Sequence, residues 1–121
     1  MALVGVALVV YTDADMQDCV FCKIIAKEVK AEIEKETENL LVFDDKLPKA
    51  PIHLLMVPKK HCRDITEADG EVWAEIRTVA NEIAKEKNLR GFRLVHNAGE
   101  AAAVKHMHVH FLADVTKDRE L

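Results

Sequence analysis

His106-Met107-His108-Val109-His110-Phe111-Leu112, close to the end of a 121-residue chain, governs how everything before it is read. Three histidines alternate with Met107, Val109 and Phe111, the period of an extended strand, in which successive side chains point to opposite faces. The three imidazoles therefore share one face and the apolar residues the other, so that one side packs and the other is free for chemistry. A rise of about 3.3 Å per residue puts neighbouring imidazoles roughly 6.6 Å apart. That is close enough for adjacent rings to act on one small ligand, such as a phosphate or a metal ion. An affinity tag would be an unbroken run of histidine at a terminus, whereas this run alternates and continues into Phe111-Leu112.

Working outward, Phe92-Arg93-Leu94-Val95-His96-Asn97 alternates as a strand, and Ala98-Gly99 follows it as a turn. Before that the period changes. Val72, Trp73, Ile76, Val79, Ala80 and Ile83 recur at three- and four-residue intervals, which predicts an amphipathic helix between Glu67 and Asn88 with Trp73 in the core. Leu40-Leu41-Val42-Phe43 is a short strand bounded by Asn39 and the Asp44-Asp45-Lys46 turn, and His53 to Val57 is a mostly buried strand between Pro51 and Pro58. Glu32 to Thr37 reads as a polar strand or turn, and Ile24-Ile25-Ala26 as a short helix. On the residues alone Asp45 is a turn former. His53, entering a buried strand, is by default a core histidine whose ring nitrogens must find partners.

Cys19-Val20-Phe21-Cys22 has three ordinary readings: half of a zinc site, a redox dithiol, or two buried thiols. A redox motif expects a βαβ context, and here an acidic turn at Asp18 precedes the pair. Zinc requires two further nitrogen or sulfur ligands. Cys62 reads as a small buried residue facing away from His61.

Half of the residues are apolar, enough for one core in one domain. Seventeen basic residues intermix with 21 acidic ones for a net charge of −4, so no nucleic-acid footprint is expected and a small ligand is the better partner. Met1 to Val10 is apolar, too short to span a bilayer and without the basic flank of a secretory signal. The expectation is a soluble cytoplasmic protein in which residues 1–16 form an extension that adds an edge strand or covers apolar surface.

Phe21-Cys22-Lys23-Ile24-Ile25, Phe43-Asp44-Asp45, Ala50-Pro51-Ile52-His53, Val57-Pro58-Lys59-Lys60-His61, Asn97-Ala98-Gly99 and the alternating histidines occur in an order and spacing that resemble the histidine-triad family. Within it the likeness is to the Hint branch of small nucleotide-binding hydrolases, over about residues 17 to 114. The resemblance implies an α+β domain over residues 17–121, with a five- or six-stranded antiparallel sheet, one long and one short helix, and a homodimer in which the long helix takes part. It implies that His108 is the nucleophile attacking the α-phosphorus of a purine nucleotide such as AMP's phosphoramidate, forming a nucleotidyl-histidine that water hydrolyses. His110 and His53 would donate to the phosphoryl oxygens. Ile24, Phe43, Asp45, Asn97, Gly99 and Val104 would contact substrate, Phe43 as a wall for the base, Asp45 at the ribose hydroxyls and Asn97 at the phosphate. Cys19, Cys22, His61 and His106 would form a closed, structural zinc site, His106 otherwise being the member that positions its neighbour. Ala101-Ala102-Ala103 departs from the family, where a Gln and a hydroxyl side chain commonly touch the phosphate or its leaving group. The alternatives are a dinucleoside polyphosphate hydrolase and a zinc-stabilised nucleotide-binding module without significant turnover.

Overall fold

Leu40 to Phe43 are all buried, as are Leu54 to Val57, and such runs can be hidden only in strands covered on both faces. The computed structural model describes residues 9–119 and contains that arrangement. Five strands, β1 (Ile33–Glu36), β2 (Leu40–Asp44), β3 (Ile52–Pro58), β4 (Phe92–His96) and β5 (Val109–Ala113), form one sheet. It is antiparallel throughout, in the order β1-β2-β3-β5-β4. Helices α1 (Asp13–Gln17) and α2 (Val20–Ile25) precede the sheet, and α3 (Gly70–Glu86) connects β3 to β4. The sheet thus has five strands and the long helix is present. A second short helix, α1, joins the one expected; a capping box between Thr12 and Asp15 starts it.

Period-two alternation divides the strands between two cores. On one face Leu40, Val42, Leu54, Met56, Met107, Val109, Phe111 and Ala113 pack against Ile76, Val79, Ala80 and Ile83 of α3. On the other, Leu41, Phe43, Leu55 and Val57 pack against Cys19, Phe21 and Ile24 around α2. Phe111 is fully buried and stacks on Phe92 with centroids 4.9 Å apart. Burial of a side chain this size contributes about 1.5–3 kcal/mol.

The long helix begins at Gly70, three residues after Glu67, because Asp69 caps it, accepting from the amides of Glu71 and Val72 at 3.1 and 3.2 Å. It ends in a Schellman turn, where Asn88 takes φ 54° and the Leu89 amide reaches back to the Ala84 carbonyl at 2.8 Å. One expectation fails on this helix: Trp73 is 40% exposed, lying beside edge strand β4 with its ring 6.1 Å from that of His96. Val72, one residue earlier, packs on the core, so Trp73 stands at the margin of the buried stripe.

The extension expected over residues 1–16 lies largely outside the described residues; from Val9 onward it runs as coil into α1, and no described residue of it joins the sheet. No helix among the described residues is long and apolar enough to cross a membrane.

Candidate active site and adjoining metal centre

β5 begins only at Val109, so His106 and His108 stand on an extended approach to the strand. The alternation persists there all the same. Met107 and Val109 enter the α3 core, while the rings of His106 and His108 turn to the other face, edge-on to Phe21 at 5.8 and 5.1 Å. His108 and His110 converge, their centroids 5.1 Å apart.

Hydrogen-bond partners fix the tautomers of the neutral rings. The Nδ1–H of His108 donates to the carbonyl of His106 at 2.8 Å, which leaves Nε2 with its lone pair. His53 is held the opposite way: its Nδ1 accepts the Lys49 amide at 2.9 Å, so its proton sits on Nε2 and is donated to Nδ1 of His110 at 2.8 Å. His110 consequently carries its proton on Nε2. An unprotonated nitrogen on His108 therefore neighbours a donor nitrogen on His110, the pairing that attack on a phosphoryl group needs. Burial lowers the proton affinity of both rings, that of His110 to about 4, with the neighbouring His108 and His53 adding to the effect. Burial likewise lowers His53, against the pull of the Asp45 carboxylate 3.3 Å away.

In front of these rings lies a cavity of about 880 Å³. Its walls include Ile24, Phe43, Asp45, Asn97 and Val104 together with His108 and His110, so five of the six predicted substrate contacts converge with two of the three predicted catalytic histidines. His53 stands behind His110 and faces a second cavity of about 400 Å³. Gly99 does not line either cavity; its amide is committed to Asp64 at 2.8 Å, and its φ of 61° is the left-handed conformation that suits glycine. Asp45 uses one oxygen to accept the Leu47 amide at 2.9 Å, which locks the turn, and the other faces His53.

The predicted metal ligands also meet, their donor atoms all within 4.8 Å of one another. Nδ1 of His106 lies 3.2 Å from Sγ of Cys19, 3.5 Å from Sγ of Cys22 and 3.0 Å from Nδ1 of His61, and the Cys22–His61 separation is 3.3 Å. Tetrahedral zinc separates two nitrogens by about 3.3 Å and nitrogen from sulfur by about 3.6 Å, so a small expansion accommodates the ion. The His106 Nε2–H donates to the Pro58 carbonyl at 2.7 Å, leaving Nδ1 as the ligand nitrogen, with a backbone acceptor as the outer partner. Without a cation, burial and the Cys19 neighbour push the Cys22 thiol up to about 12, and burial takes His106 down to about 4. The four donors fit zinc. Asp45, His53 and His110 also cluster, but the Lys49 amide forces a proton onto His53 Nε2, the nitrogen that faces the other two. Cys62 points away from the sulfur pair and packs on the α3 core.

Three residues escaped the sequence reading. Asp64 is fully buried and accepts from Thr66 (amide at 2.9 Å, and hydroxyl), from the Gly99 amide and from Arg63 Nε at 3.2 Å. Burial alone would raise its proton affinity, but these donors hold it well below the carboxylate range. Tyr11 lies edge-on to His61 at 4.3 Å and donates to Glu67. His96 bonds through both ring nitrogens to backbone. A polar loop, an N-terminal aromatic and a strand-end histidine carry no local signal of such partners.

Residues 18–120 match the family model described as "Scavenger mRNA decapping enzyme C-term binding". Protein HitA of Neisseria gonorrhoeae is 36% identical over an alignment of 103 positions that covers 80% of this chain and 96% of that one. Among solved structures, a HIT family hydrolase from Clostridium thermocellum superposes with TM-score 0.79 at 34% identity, covering 87% of this chain and 97% of the other. A histidine-triad family protein from Mycobacterium smegmatis, solved with zinc bound, gives 0.76 at 31%, covering 86% and 80%. By sequence, by fold and by the convergence of its histidines, the chain belongs to the histidine-triad (HIT) family.

Proposed function

We propose that the protein hydrolyses or transfers at the α-phosphate of purine nucleotide derivatives, adenosine phosphoramidates first, through a nucleotidyl intermediate on His108. The observation that carries this reading is the bond from His108 Nδ1–H to the His106 carbonyl, which frees Nε2 beside a cavity of nucleotide size. Ile24, Phe43 and Leu55 offer an apolar wall for the base, Asp45 a carboxylate for the ribose hydroxyls, and Asn97 an amide for the phosphate. Nε2 of His108 bonds to phosphorus as the bond to the leaving group breaks. Water then displaces the ring and releases the nucleoside monophosphate. His110, its proton on Nε2 and its Nδ1 held by His53, donates to the phosphoryl oxygen on which charge builds. Val104, at the end of the alanine run, closes the same wall; Gly99 acts at one remove, as the anchor of its loop on Asp64.

Zinc held by Cys19, Cys22, His61 and His106 would supply a structural crosslink, with no open position for chemistry. A homodimer is part of the proposal: Trp73, Leu94 and Ile65 are exposed around His96 at the β4 edge, a surface suited to a second copy. One observation favours the polyphosphate alternative. The second cavity, behind His110, is lined by Lys49, Arg93 and Arg119, cations that would suit an anionic leaving group.

The test is a fluorogenic adenosine phosphoramidate and a diadenosine polyphosphate, each assayed with wild type and His108→Ala. Turnover lost in the variant, with AMP binding retained, is expected. AMP binding without wild-type turnover on either compound would leave the binding-module reading instead.

A further inference from the structure

His96 closes β4 opposite Val109, on the α3 side of the sheet, so it approaches the site from behind. Its Nδ1–H donates to the carbonyl of His108 at 2.9 Å, and its Nε2 accepts the amide of Ile65 at 3.0 Å. A carbonyl must receive a proton and an amide must give one, so a single neutral tautomer serves both and neither nitrogen remains free. The other side chains that β4 turns to this face, Phe92 and Leu94, are apolar, Phe92 packed on the α3 core and Leu94 exposed, so a third apolar residue would continue the pattern. Instead a polar ring is spent entirely on backbone.

The backbone it holds is that of the residue assigned to attack phosphorus. His108 lies one residue before β5 begins, and its side chain bonds back to the His106 carbonyl, so the aim of Nε2 depends on how the 106–107 peptide is set relative to the backbone at His108. The adjacent Asp64 carboxylate anchors Gly99. Residues 64 and 65 thereby brace the loop after β4 directly and the triad through His96. We propose that His96 is a positioning residue for His108: it pins the 108–109 peptide to the Ile65 loop and so keeps Nε2 aimed at the phosphate. The inference rests on His108 being the nucleophile.

His96→Val removes both bonds, and His96→Gln can remake them with one amide donor and one carbonyl acceptor. Two readouts are taken: the ring-nitrogen NMR signals of His108, which need no turnover, and kcat on the phosphoramidate beside AMP affinity. In wild type His108 should show the single Nδ1–H tautomer. In His96→Val its signals should average between tautomers, with kcat down about tenfold to a hundredfold while AMP affinity moves less than about twofold. His96→Gln should restore both. Should His96→Val fail to fold, His96→Asn, too short to reach both partners, takes its place with the same expectation. Unchanged His108 signals in a folded variant overturn the proposal, as does a parallel loss of kcat and AMP affinity that glutamine does not repair. Absence of His108-dependent turnover in wild type would sink the functional reading, and the NMR signals then decide the positioning role alone.

Discussion

Replacing Asp64 with asparagine tests how the site is braced. The carboxylate is fully buried, one oxygen accepting from the Thr66 amide and hydroxyl, the other from the Gly99 amide and Arg63. An asparagine keeps one acceptor oxygen and turns an NH2 group toward the remaining pair of donors, whichever way it flips. Two charge-assisted bonds are lost and their donors stranded, a cost of about 3–5 kcal/mol. Against a total stability on the order of 5–15 kcal/mol, this should lower the melting temperature by roughly 10–20 °C at this chain length. Scanning calorimetry of wild type and Asp64→Asn at pH 7 measures it, with Thr66→Val, which loses one hydroxyl donor, costing about 1 kcal/mol. The pH dependence has a definite sign. Asp64 is held below its ordinary value of 3.8, so its stabilisation is complete above that value and lost as pH falls below it. The gap between wild type and variant should therefore be flat from pH 7 to about 5 and narrow only in stronger acid. A drop of less than about 3 °C at neutral pH would refute the reasoning.

Zinc should bind at one ion per chain, and Cys22→Ser should abolish it. Because the free Cys22 thiol sits at about 12, uptake should release protons and weaken steeply as pH falls, checked by chelator competition in lightly buffered solution. His110, ordinarily near 6.5 and lowered to about 4 in the folded chain, favours the unfolded state in acid: stability is full above 6.5 and falls as pH drops from there toward 4, and His110→Gln should flatten that limb in thermal melts. Trp73→Ser should cost less than about 1 kcal/mol of chain stability in denaturant titrations, against about 3–5 for Phe111→Ala, and should weaken self-association in sedimentation if the β4 edge joins two copies.

Strong local periods made the fold legible. Alternation around Val109 and the unbroken apolar run Leu54–Val57 identified central strands, and the stripe from Ile76 to Ile83 identified the face of α3, because burial acts on each of these residues in the same way. Trp73 was misread because period says which residues share a face and nothing of how far the partner surface extends. Apart from the Cys19–Cys22 pair, the candidate zinc set and most of the candidate substrate wall were assembled only through resemblance, since their residues come from segments up to 87 residues apart. His96 was invisible for a related reason, as was the Asp64–Gly99 bond: the partners are backbone groups 12 to 35 residues away, and a main-chain amide or carbonyl has no spelling in a sequence.

His106 serves two neighbours with different parts of itself, its ring toward the cysteines and its main-chain oxygen toward His108. Every amino acid brings that oxygen, so the aiming of the next histidine does not depend on what residue 106 is. The side chain is a tenant that can be exchanged, and with it any ion it would help to hold, while the landlord's service to its neighbour continues. A chain redesigned to fill the cysteine niche with hydrocarbon would, on this division of labour, need no metal there and still keep Nε2 of His108 unprotonated, as the proposed attack requires.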